Sequence, residues 1–328
     1  MKSIMAFNEV PIMKALDLDT FPVNEISFRW LHVVSNGIGQ PILVPIMVAK
    51  GAKNGPIVGL TAAIHGNELN GISVIQRLFN EIDTNLLTGT IVGVPGANVP
   101  SILANERTFI DGADINRIMP GNEAGNRSEV YAARIVDRIV QHFDFLLDLH
   151  TASFGRVNSY YIRADLASKV AYELAHLQNP DIILNAPPKD GTLRGAAADL
   201  GIDSITIEVG DPNRFQKGVI RSSLTGIFNT LAYLEMYHSD LEKIEEPPVV
   251  CDDSKWIYSD RGGIISIHVN LTDQLEKGDK IATVRNVFGA IVKEFFAPFN
   301  GIVIGKSNHP IGQTGSRLIH LGKTEQNV

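Results

Sequence analysis

The stretch PIVGLTAAIHGNE, residues 56–68, decides the fold. Its first nine residues are apolar, small or β-branched, which is typical of a buried strand. Directly after it, apolar side chains between Leu69 and Ile82 recur at helical spacing, which predicts a helix. A buried strand that runs into an amphipathic helix, with polar residues at the junction, is the repeating unit of α/β proteins.

The same alternation of strands and helices continues on both sides of this stretch. The segment 1–50 is expected to be a lead-in whose alternating strand joins a sheet edge, and residues 95–126 are expected to form a long loop. The pattern therefore predicts an α/β domain with a mixed or largely parallel sheet, covered by helices on both faces. The remaining predicted strands are 42–48, 89–94, 143–149, 159–162 and 204–209, and the predicted helices are 128–142, 166–177 and 222–237.

A charged, proline-containing segment, EEPPVV from Glu245, breaks this pattern and predicts a linker. Beyond it the chain carries two similar halves. Gly263 opens GIISI and Gly278 lies in KGDKIATV, while Gly301 opens GIVIG and Gly315 lies in TGSRLIHL. This internal duplication predicts two interlocked β-hairpin units. The expected organisation is an α/β domain at residues 1–245 and a small all-β domain at residues 246–328.

Composition excludes several classes of function. The chain has 328 residues and a formal net charge of -7, which does not favour binding to nucleic acid or to an anionic membrane. Its one cysteine, Cys251, permits neither an internal disulfide nor a cysteine-based zinc site. The longest apolar run, residues 41–49, is too short to span a bilayer. With no signal-peptide pattern in residues 1–10, a cytoplasmic location is expected.

Three chemically capable residues fall at the ends of predicted strands. His65 follows the first strand, His150 follows FDFLLDL, and Glu208 lies near the end of SITIEV. In open α/β sheets, ligands bind outside the carboxyl ends of the strands. We therefore expect these three side chains to converge on one crevice although they are distant in sequence.

His65 and Glu68 have the His-x-x-Glu spacing, which lets both side chains bind one metal ion at a strand-to-helix junction. With His150 as third ligand, the set is His₂Glu and leaves a position open for water, as catalytic zinc requires. The hypothesis is one Zn²⁺ per chain. Asp148, two residues before His150, is placed to orient a ligating imidazole, although a backbone or water contact is an equal alternative. Glu208 suits a general base, and a solvent-facing edge position is the alternative.

The arginines are weaker candidates for functional residues, because most arginines in proteins lie at the surface. Asn116 and Arg117 stand side by side in the loop GADINRIMPG, and an amide beside a fork-shaped cation suits a carboxylate ligand. Arg107 and Arg194 are further candidates.

Four motifs in this order, HGNE, DINRIMPG, DLHTA and IEVG, resemble the zinc carboxypeptidase superfamily, and specifically its succinylglutamate desuccinylase/aspartoacylase branch. The resemblance covers roughly residues 40–240 and implies a carboxypeptidase-like mixed sheet flanked by helices. The C-terminal part is similar to the sandwich-hybrid (biotinyl/lipoyl-like) domain of many members. The implied zinc ligands are His65, Glu68 and His150, and the implied catalytic residue is Glu208. Asn116 and Arg117 match the binders of the substrate carboxylate, Arg107 matches the arginine that polarises the scissile carbonyl, and Arg194 matches a further substrate-binding arginine.

The resemblance implies zinc-dependent removal of an acyl group from an N-acyl amino acid or related small amide that carries a carboxylate. A metallocarboxypeptidase acting on peptides is the alternative with the same metal site. A carrier module built on the C-terminal domain needs a lysine at its hairpin turn, and the turn 285–289 reads RNVFG. A metal-binding protein without catalysis is disfavoured by the presence of Glu208 and Arg107. Assembly into a homo-oligomer is left open, and no ligand role is predicted for the remaining histidines, including His142, His176, His268, His309 and His320.

Overall fold

The computed structural model describes residues 7–238 and 246–324. The predicted linker begins at Glu245, outside the described residues. The helices are α1 (Asn70–Glu81), α2 (Val99–Ala104), α3 (Arg127–Arg138), α4 (Lys169–Leu177), α5 (Leu193–Asp199) and α6 (Lys217–Tyr233). The strands are β1 (Ile12–Met13), β2 (Glu25–Ser35), β3 (Pro41–Lys50), β4 (Lys53–Ala62), β5 (Thr88–Val94), β6 (Phe145–His150), β7 (Arg156–Asn158), β8 (Tyr160–Ala164), β9 (Ile182–Asn185), β10 (Asp203–Val209), β11 (Val249–Tyr258), β12 (Gly263–Ile267), β13 (Gln274–Leu275), β14 (Lys280–Arg285), β15 (Ile291–Phe296), β16 (Gly301–Ser307), β17 (Ile311–Gly312) and β18 (Arg317–Thr324).

A large mixed sheet forms the centre of the protein. Its strand order is β1-β2-β3-β5-β4-β6-β10-β8-β9-β11-β18-β16-β13, and β7 pairs with β16. Strands β5, β4, β6 and β10 run parallel to one another, whereas β3 and β8 are antiparallel to their neighbours β5 and β10. The structure thus confirms the predicted α/β fold with a mixed sheet and flanking helices.

Helices cover the parallel part of the sheet on both faces, as the sequence predicts. On one face, apolar side chains of α1, α4 and α6 pack in a single cluster with strand residues such as Leu60 and Ile207. On the other face, α3 and α5 pack with residues such as Ile64 and Leu146. Because both faces are buried, β4 and β6 are almost continuously apolar, which explains why they could be recognised from the sequence.

The prediction that residues 42–48 lie at a sheet edge is wrong. Strand β3 pairs with β2 on one side and with β5 on the other. The partner is supplied by residues 25–35, which were expected to be part of a lead-in. Alternation of apolar and polar residues indicates that one face of a strand is buried. It does not indicate how many neighbouring strands the strand pairs with.

The described residues after position 248 form β-strands without a helix. Within each half of the duplication the strands pair with each other, β12 with β14 and β16 with β18. Each half also contributes a short strand to the sheet of the other half: β17 pairs with β12, and β13 pairs with β16. These pairings confirm the two interlocked hairpin units.

The C-terminal strands also continue the central sheet. Strand β11 pairs with β9 in parallel and with β18 antiparallel, and Tyr161 shares a buried cluster with Cys251 and Ile304. The boundary at residue 245 stays a prediction. Among the described residues, no helix combines the length and apolarity needed to cross a membrane. The cytoplasmic location likewise stays a prediction from the sequence.

Candidate metal centre and active-site cavity

Three neighbouring parallel strands bring the predicted site together. His65 lies three residues after the end of β4, His150 is the last residue of β6, and Glu208 is the penultimate residue of β10. Because β6 is paired with both β4 and β10, their carboxyl ends lie side by side, and Glu208 is in register with His150. The expected convergence at one sheet edge is observed.

The turn that carries His65 requires a close approach of two backbones. A Cβ atom on Gly66 would lie 2.0 Å from the carbonyl carbon of Ser101, so a side chain there has no room. The backbone N–H of Gly66 donates to the Glu106 carbonyl, and that of Glu68 donates to the His65 carbonyl. This tight turn explains why a glycine lies between the histidine and the glutamate.

Both imidazoles present the same nitrogen to Glu68. His65 Nδ1 lies 2.9 Å from Glu68 Oε1, and His150 Nδ1 lies 2.9 Å from Glu68 Oε2. The opposite nitrogens are held by carboxylates, His65 Nε2 by Asp114 Oδ1 at 3.0 Å and His150 Nε2 by Asp148 Oδ2 at 2.7 Å. A carboxylate on Nε2 fixes the ring orientation and leaves Nδ1 available as a ligand.

Asp148 confirms the predicted contact with His150, whereas Asp114 was not singled out in the sequence. Thr61 Oγ1 donates to Asp148 Oδ1 at 2.6 Å, so both oxygens of this carboxylate are engaged. Burial alone would raise the pKa of Asp114, but the hydrogen bond to His65 and the charges of His65, Arg107 and Arg117 hold it well below its usual range. Asp114 is therefore an anion that supports one imidazole, as Asp148 supports the other.

The geometry fits a metal ion better than a network of hydrogen bonds. One ligand atom from each of His65, Glu68 and His150 lies within 4.8 Å of the others. The three residues are only 2%, 1% and 6% exposed. The buried His65 Nδ1 has no hydrogen-bond partner among the described residues, although Glu68 Oε1 lies 2.9 Å away. A cation between the three residues would satisfy it, and two nitrogens with one carboxylate suit zinc.

Glu68 is held in its ionised form. Burial would raise its pKa, but the charges of His65 and His150 and the hydrogen bond with His150 outweigh burial and hold the pKa well below the usual range. Thr151 N and Ser153 Oγ also donate to this carboxylate, at 3.2 Å and 2.7 Å. An ionised, oriented carboxylate is what a metal ligand requires.

Glu208 differs from Glu68 because burial dominates its environment. Burial raises the pKa of Glu208, and the opposing charge of His150 does not cancel the effect. Its Oε2 accepts a hydrogen bond from Asn158 Nδ2 at 3.2 Å. A carboxylate with a raised pKa, in register with a candidate metal ligand, is suited to exchange protons.

Arg107 is bound tightly to the same cluster. Its Nη1 donates to Glu68 Oε1 at 3.0 Å and to Ser153 Oγ, and its Nε and Nη2 both donate to Asp114 Oδ2, at 3.1 Å and 2.9 Å. The guanidinium is thus fixed beside the candidate metal ligands.

The remaining predicted residues come from two loops that contact each other. Met119 N donates to the Gly191 carbonyl, and Leu193 N donates to Asn116 Oδ1 at 2.7 Å. Asn116 and the exposed Arg117 both line the cavity. Arg194, at the start of α5, is 7% exposed, and its Nη1 has no hydrogen-bond partner among the described residues. An unpaired buried donor of this kind marks a place where an anion would bind.

All eight predicted residues line one cavity of about 490 Å³, and their chemical roles stay predictions. Part of the cavity wall consists of residues that were not predicted from the sequence. Tyr161 lies on β8 in register with Glu208, and Arg156 and Asn158 come from β7. The C-terminal strands contribute Ser254, Trp256, Arg317 and His320. These residues come from strands that pair only in the tertiary structure, and no local motif marks them.

A comparison with known protein families identifies the family of the chain. The model of the succinylglutamate desuccinylase/aspartoacylase catalytic domain matches residues 54–234. The chain belongs to the succinylglutamate desuccinylase/aspartoacylase family. The matched region contains the three strand ends and the segments that carry Asn116 and Arg194, so the family assignment rests on the part of the chain that holds the candidate metal centre.

Curated relatives of the chain include a deacetylase and a desuccinylase. The chain is 24% identical over 282 residues to an N-alpha-acetyl-L-2,4-diaminobutyric acid deacetylase from Halomonas elongata, covering 81% of each protein. It is 30% identical over 181 residues to a succinylglutamate desuccinylase from Pseudomonas paraeruginosa, covering 49% of this chain and 53% of the relative. The deacylases and desuccinylases among these relatives support a hydrolase.

Solved structures of the family share the fold. The succinylglutamate desuccinylase/aspartoacylase from Rhodobacter sphaeroides superposes with a TM-score of 0.85 at 19% identity, covering 96% of this chain and 100% of that one. The product-bound ectoine utilization protein EutE (DoeB) from Ruegeria pomeroyi gives 0.83 at 21% identity, covering 93% and 98%. These likenesses include the C-terminal strands, so the whole architecture is that of the family.

Proposed function

We propose that the protein is a zinc-dependent amidohydrolase that removes the acyl group from an N-acyl amino acid or a related small amide carrying a carboxylate. The observation that carries this proposal is the convergence of two Nδ1 atoms and one carboxylate, with Glu208 in register beside them in the same cavity. The names of the relatives, a deacetylase and succinylglutamate desuccinylases, point to the same class of reaction.

His65, Glu68 and His150 would hold the zinc ion, one per chain. When bound, zinc supplies a Lewis acid that activates water and polarises the carbonyl of the substrate. Asp114 and Asp148 keep both Nδ1 atoms directed at the ion by accepting from Nε2. Arg107, fixed by Asp114 and Ser153, adds positive charge where the carbonyl oxygen becomes negative.

Glu208 would move the proton. Its carboxylate accepts a proton from the attacking water and later donates it to the nitrogen of the leaving amine. Burial raises the pKa of this residue, which brings the acid and base forms closer in energy at neutral pH. Asn158, which donates to Oε2, fixes the position of the carboxylate.

Asn116, Arg117 and Arg194 would anchor a carboxylate of the substrate. The two loops that carry them are joined by the Met119–Gly191 and Leu193–Asn116 hydrogen bonds, so the anchors have a defined relative position. A fixed anchor determines which bond of the substrate lies over the metal and the base.

A small substrate is favoured over a peptide. A cavity of about 490 Å³ is within the range of small-molecule sites, and the C-terminal strands β11 and β18 form part of its wall. A metallocarboxypeptidase would need room for the preceding residues of a chain. We therefore interpret the interlocked C-terminal hairpins as a sandwich-hybrid domain that narrows the site, and we assign them no carrier function because their exposed turn has Phe288 and no lysine.

The test is the Glu208→Gln variant, assayed with zinc for amine release from matched N-acyl amino acids and short peptides. We expect zinc to remain bound while kcat falls by about 10²- to 10⁴-fold. Glu81→Gln, on the exposed end of α1, is the matched control and should behave as wild type. Wild-type turnover in Glu208→Gln would refute the assigned base, and release from peptide C-termini alone would move the assignment to a carboxypeptidase.

A further inference from the structure

Exposed apolar side chains are concentrated on the outer face of the smaller sheet, whose strand order is β15-β14-β12-β17. Across β17 and β12, Ile311 is paired with Ile264. Ile264 is paired in turn with Arg285 of β14, and Arg285 is paired with Ile291 of β15. Directly opposite side chains on paired strands point to the same face of a sheet. Because Ile265, the neighbour of Ile264, lies in the buried cluster on the inner face, this row of three isoleucines and an arginine faces outward.

The turn between β14 and β15 extends the row with two further apolar side chains. Val287 is 79% exposed and Phe288 is 92% exposed. Asn286 holds the turn in one shape, because its Oδ1 accepts from the backbone N–H groups of Phe288 and Ala290, both at 3.0 Å. Its carbonyl also accepts from the N–H of Gly289. Apolar side chains on a rigid turn lose little conformational freedom when a partner covers them.

The exposed area of this surface is large for a protein that stays monomeric. With Val292, which adjoins Ile291 at a bulge of β15, the surface has six apolar residues. Their exposed fractions correspond to roughly 700 Å² of accessible surface, above the few hundred Å² common in one apolar patch of a monomer and near the about 800 Å² that each partner buries in a standard interface. We call this surface the C-terminal apolar face, and it consists of Ile264, Val287, Phe288, Ile291, Val292 and Ile311.

The edge of the same sheet is protected against the addition of another strand. In the described part of the chain, β15 pairs with β14 alone. Lys293 and Glu294 lie in the middle of β15 and form ion pairs within the chain, with Asp260 at 3.7 Å and with Lys280 at 2.6 Å. Charged side chains on an edge strand disfavour pairing with a further strand. A partner is therefore expected to cover the apolar face and not the strand edge.

The charges on the face fit a second copy of the chain. Arg285 forms no salt bridge with any residue of the ranges 7–238 and 246–324. Glu294 lies on the same face, because it is paired with Thr283, two residues before Arg285 on β14. A face that carries both signs can be complementary to itself across a two-fold axis. An anionic membrane is disfavoured as the partner by the net charge of -7.

We propose that the C-terminal apolar face is the interface of a two-fold symmetric homodimer. The turn 286–290 of each copy packs against the isoleucine row of the other copy. None of the six residues of the face lines the active-site cavity, so the proposal does not depend on the proposed amidohydrolase function.

Sedimentation velocity of the purified full chain, over a range of concentrations, measures the assembly. We expect the wild type to sediment as a dimer at micromolar concentration. Phe288→Ser and Ile311→Ser should each raise the dissociation constant of the dimer by about 10- to 100-fold. Both side chains are exposed in the single chain, so the fold is expected to persist, and circular dichroism checks it. Phe215→Ser replaces an exposed phenylalanine outside the face and should dimerise as wild type does.

Three outcomes would overturn the proposal. The first is a wild-type chain that remains monomeric throughout the concentration range. The second is a dimer whose dissociation constant neither Phe288→Ser nor Ile311→Ser changes, because its interface then lies elsewhere. The third is a monomer that co-sediments with phosphatidylcholine vesicles through Phe288, which would assign the face to a lipid surface. Failure of the wild type to hydrolyse amides would refute the proposed function and leave this test of the interface unaffected.

Discussion

The candidate metal centre and the arginine wall, which consists of Arg156, Trp256, Arg317 and His320, face the same cavity, but they are built differently. The metal centre comes from the ends of three adjacent parallel strands, all inside residues 54–234, the region that matches the family. Most of the wall comes from β11 and β18, which lie beyond that region. The residues of the candidate metal centre thus lie within the region that matches the family's catalytic domain, whereas the wall depends on strands outside it.

If the metal centre supplies the chemistry, the largest effect should come from removing one of its ligands. His150→Ala is expected to lose zinc and to reduce turnover below detection, because two ligands remain and Glu68 loses a partner. Zinc content after dialysis and amine release measure the two effects. His176→Ala on α4, outside the cavity lining, should retain both. Full zinc content in the His150→Ala protein would contradict the assignment of His150 as a metal ligand.

A smaller loss of zinc binding is expected when Asp148, the residue that orients His150, is replaced. Asp148→Asn keeps the shape but removes the negative charge that accepts from Nε2 at 2.7 Å. Zinc affinity should fall by about 10- to 100-fold, while KM of the zinc-saturated enzyme changes little. Competition with a chelator measures the affinity. An unchanged affinity would show that Asp148 is only a structural partner of Thr61.

The sequence predicts the metal centre well because its residues lie in short motifs at strand ends. HGNE and DLH follow apolar runs that can be recognised by composition alone, and the helix after Glu68 is marked by its periodicity. Asp148 could be assigned because residues two apart on a strand point the same way. Each of these signals is contained within a few consecutive residues.

The wall could not be predicted in this way. Trp256 and Arg317 are 61 positions apart and meet because β11 pairs with β18, where His320 is in register with Trp256. Arg156 joins them because β7 pairs with β16. Such pairings are set by tertiary packing. The same holds for the pairing of β2 with β3 and for the contact of Asp114 with His65, which were not predicted either. Helix α5, with its GAAAD sequence, was missed because its small residues give little periodicity.

The smallest predicted effect tests whether the two regions are mechanically linked. Asn158 donates to Glu208 and is in register with Gly305 of β16, where a Cβ atom would lie 2.5 Å from Asn158 Oδ1. Gly305→Ala should therefore displace Asn158 and lower kcat by about tenfold with little change in KM. Gly218→Ala, where nothing lies within 4 Å of the added carbon, is the control. Unchanged kcat in Gly305→Ala would show that the C-terminal strands act on substrate binding alone.

A crystal can show whether His65, Glu68 and His150 hold one catalytic zinc ion. The measurement is anomalous diffraction from zinc-loaded crystals, recorded on both sides of the zinc absorption edge. We expect one strong peak per chain, about 2.0–2.2 Å from His65 Nδ1, His150 Nδ1 and a carboxylate oxygen of Glu68. A peak elsewhere, or none between these three side chains in fully loaded crystals, would contradict it.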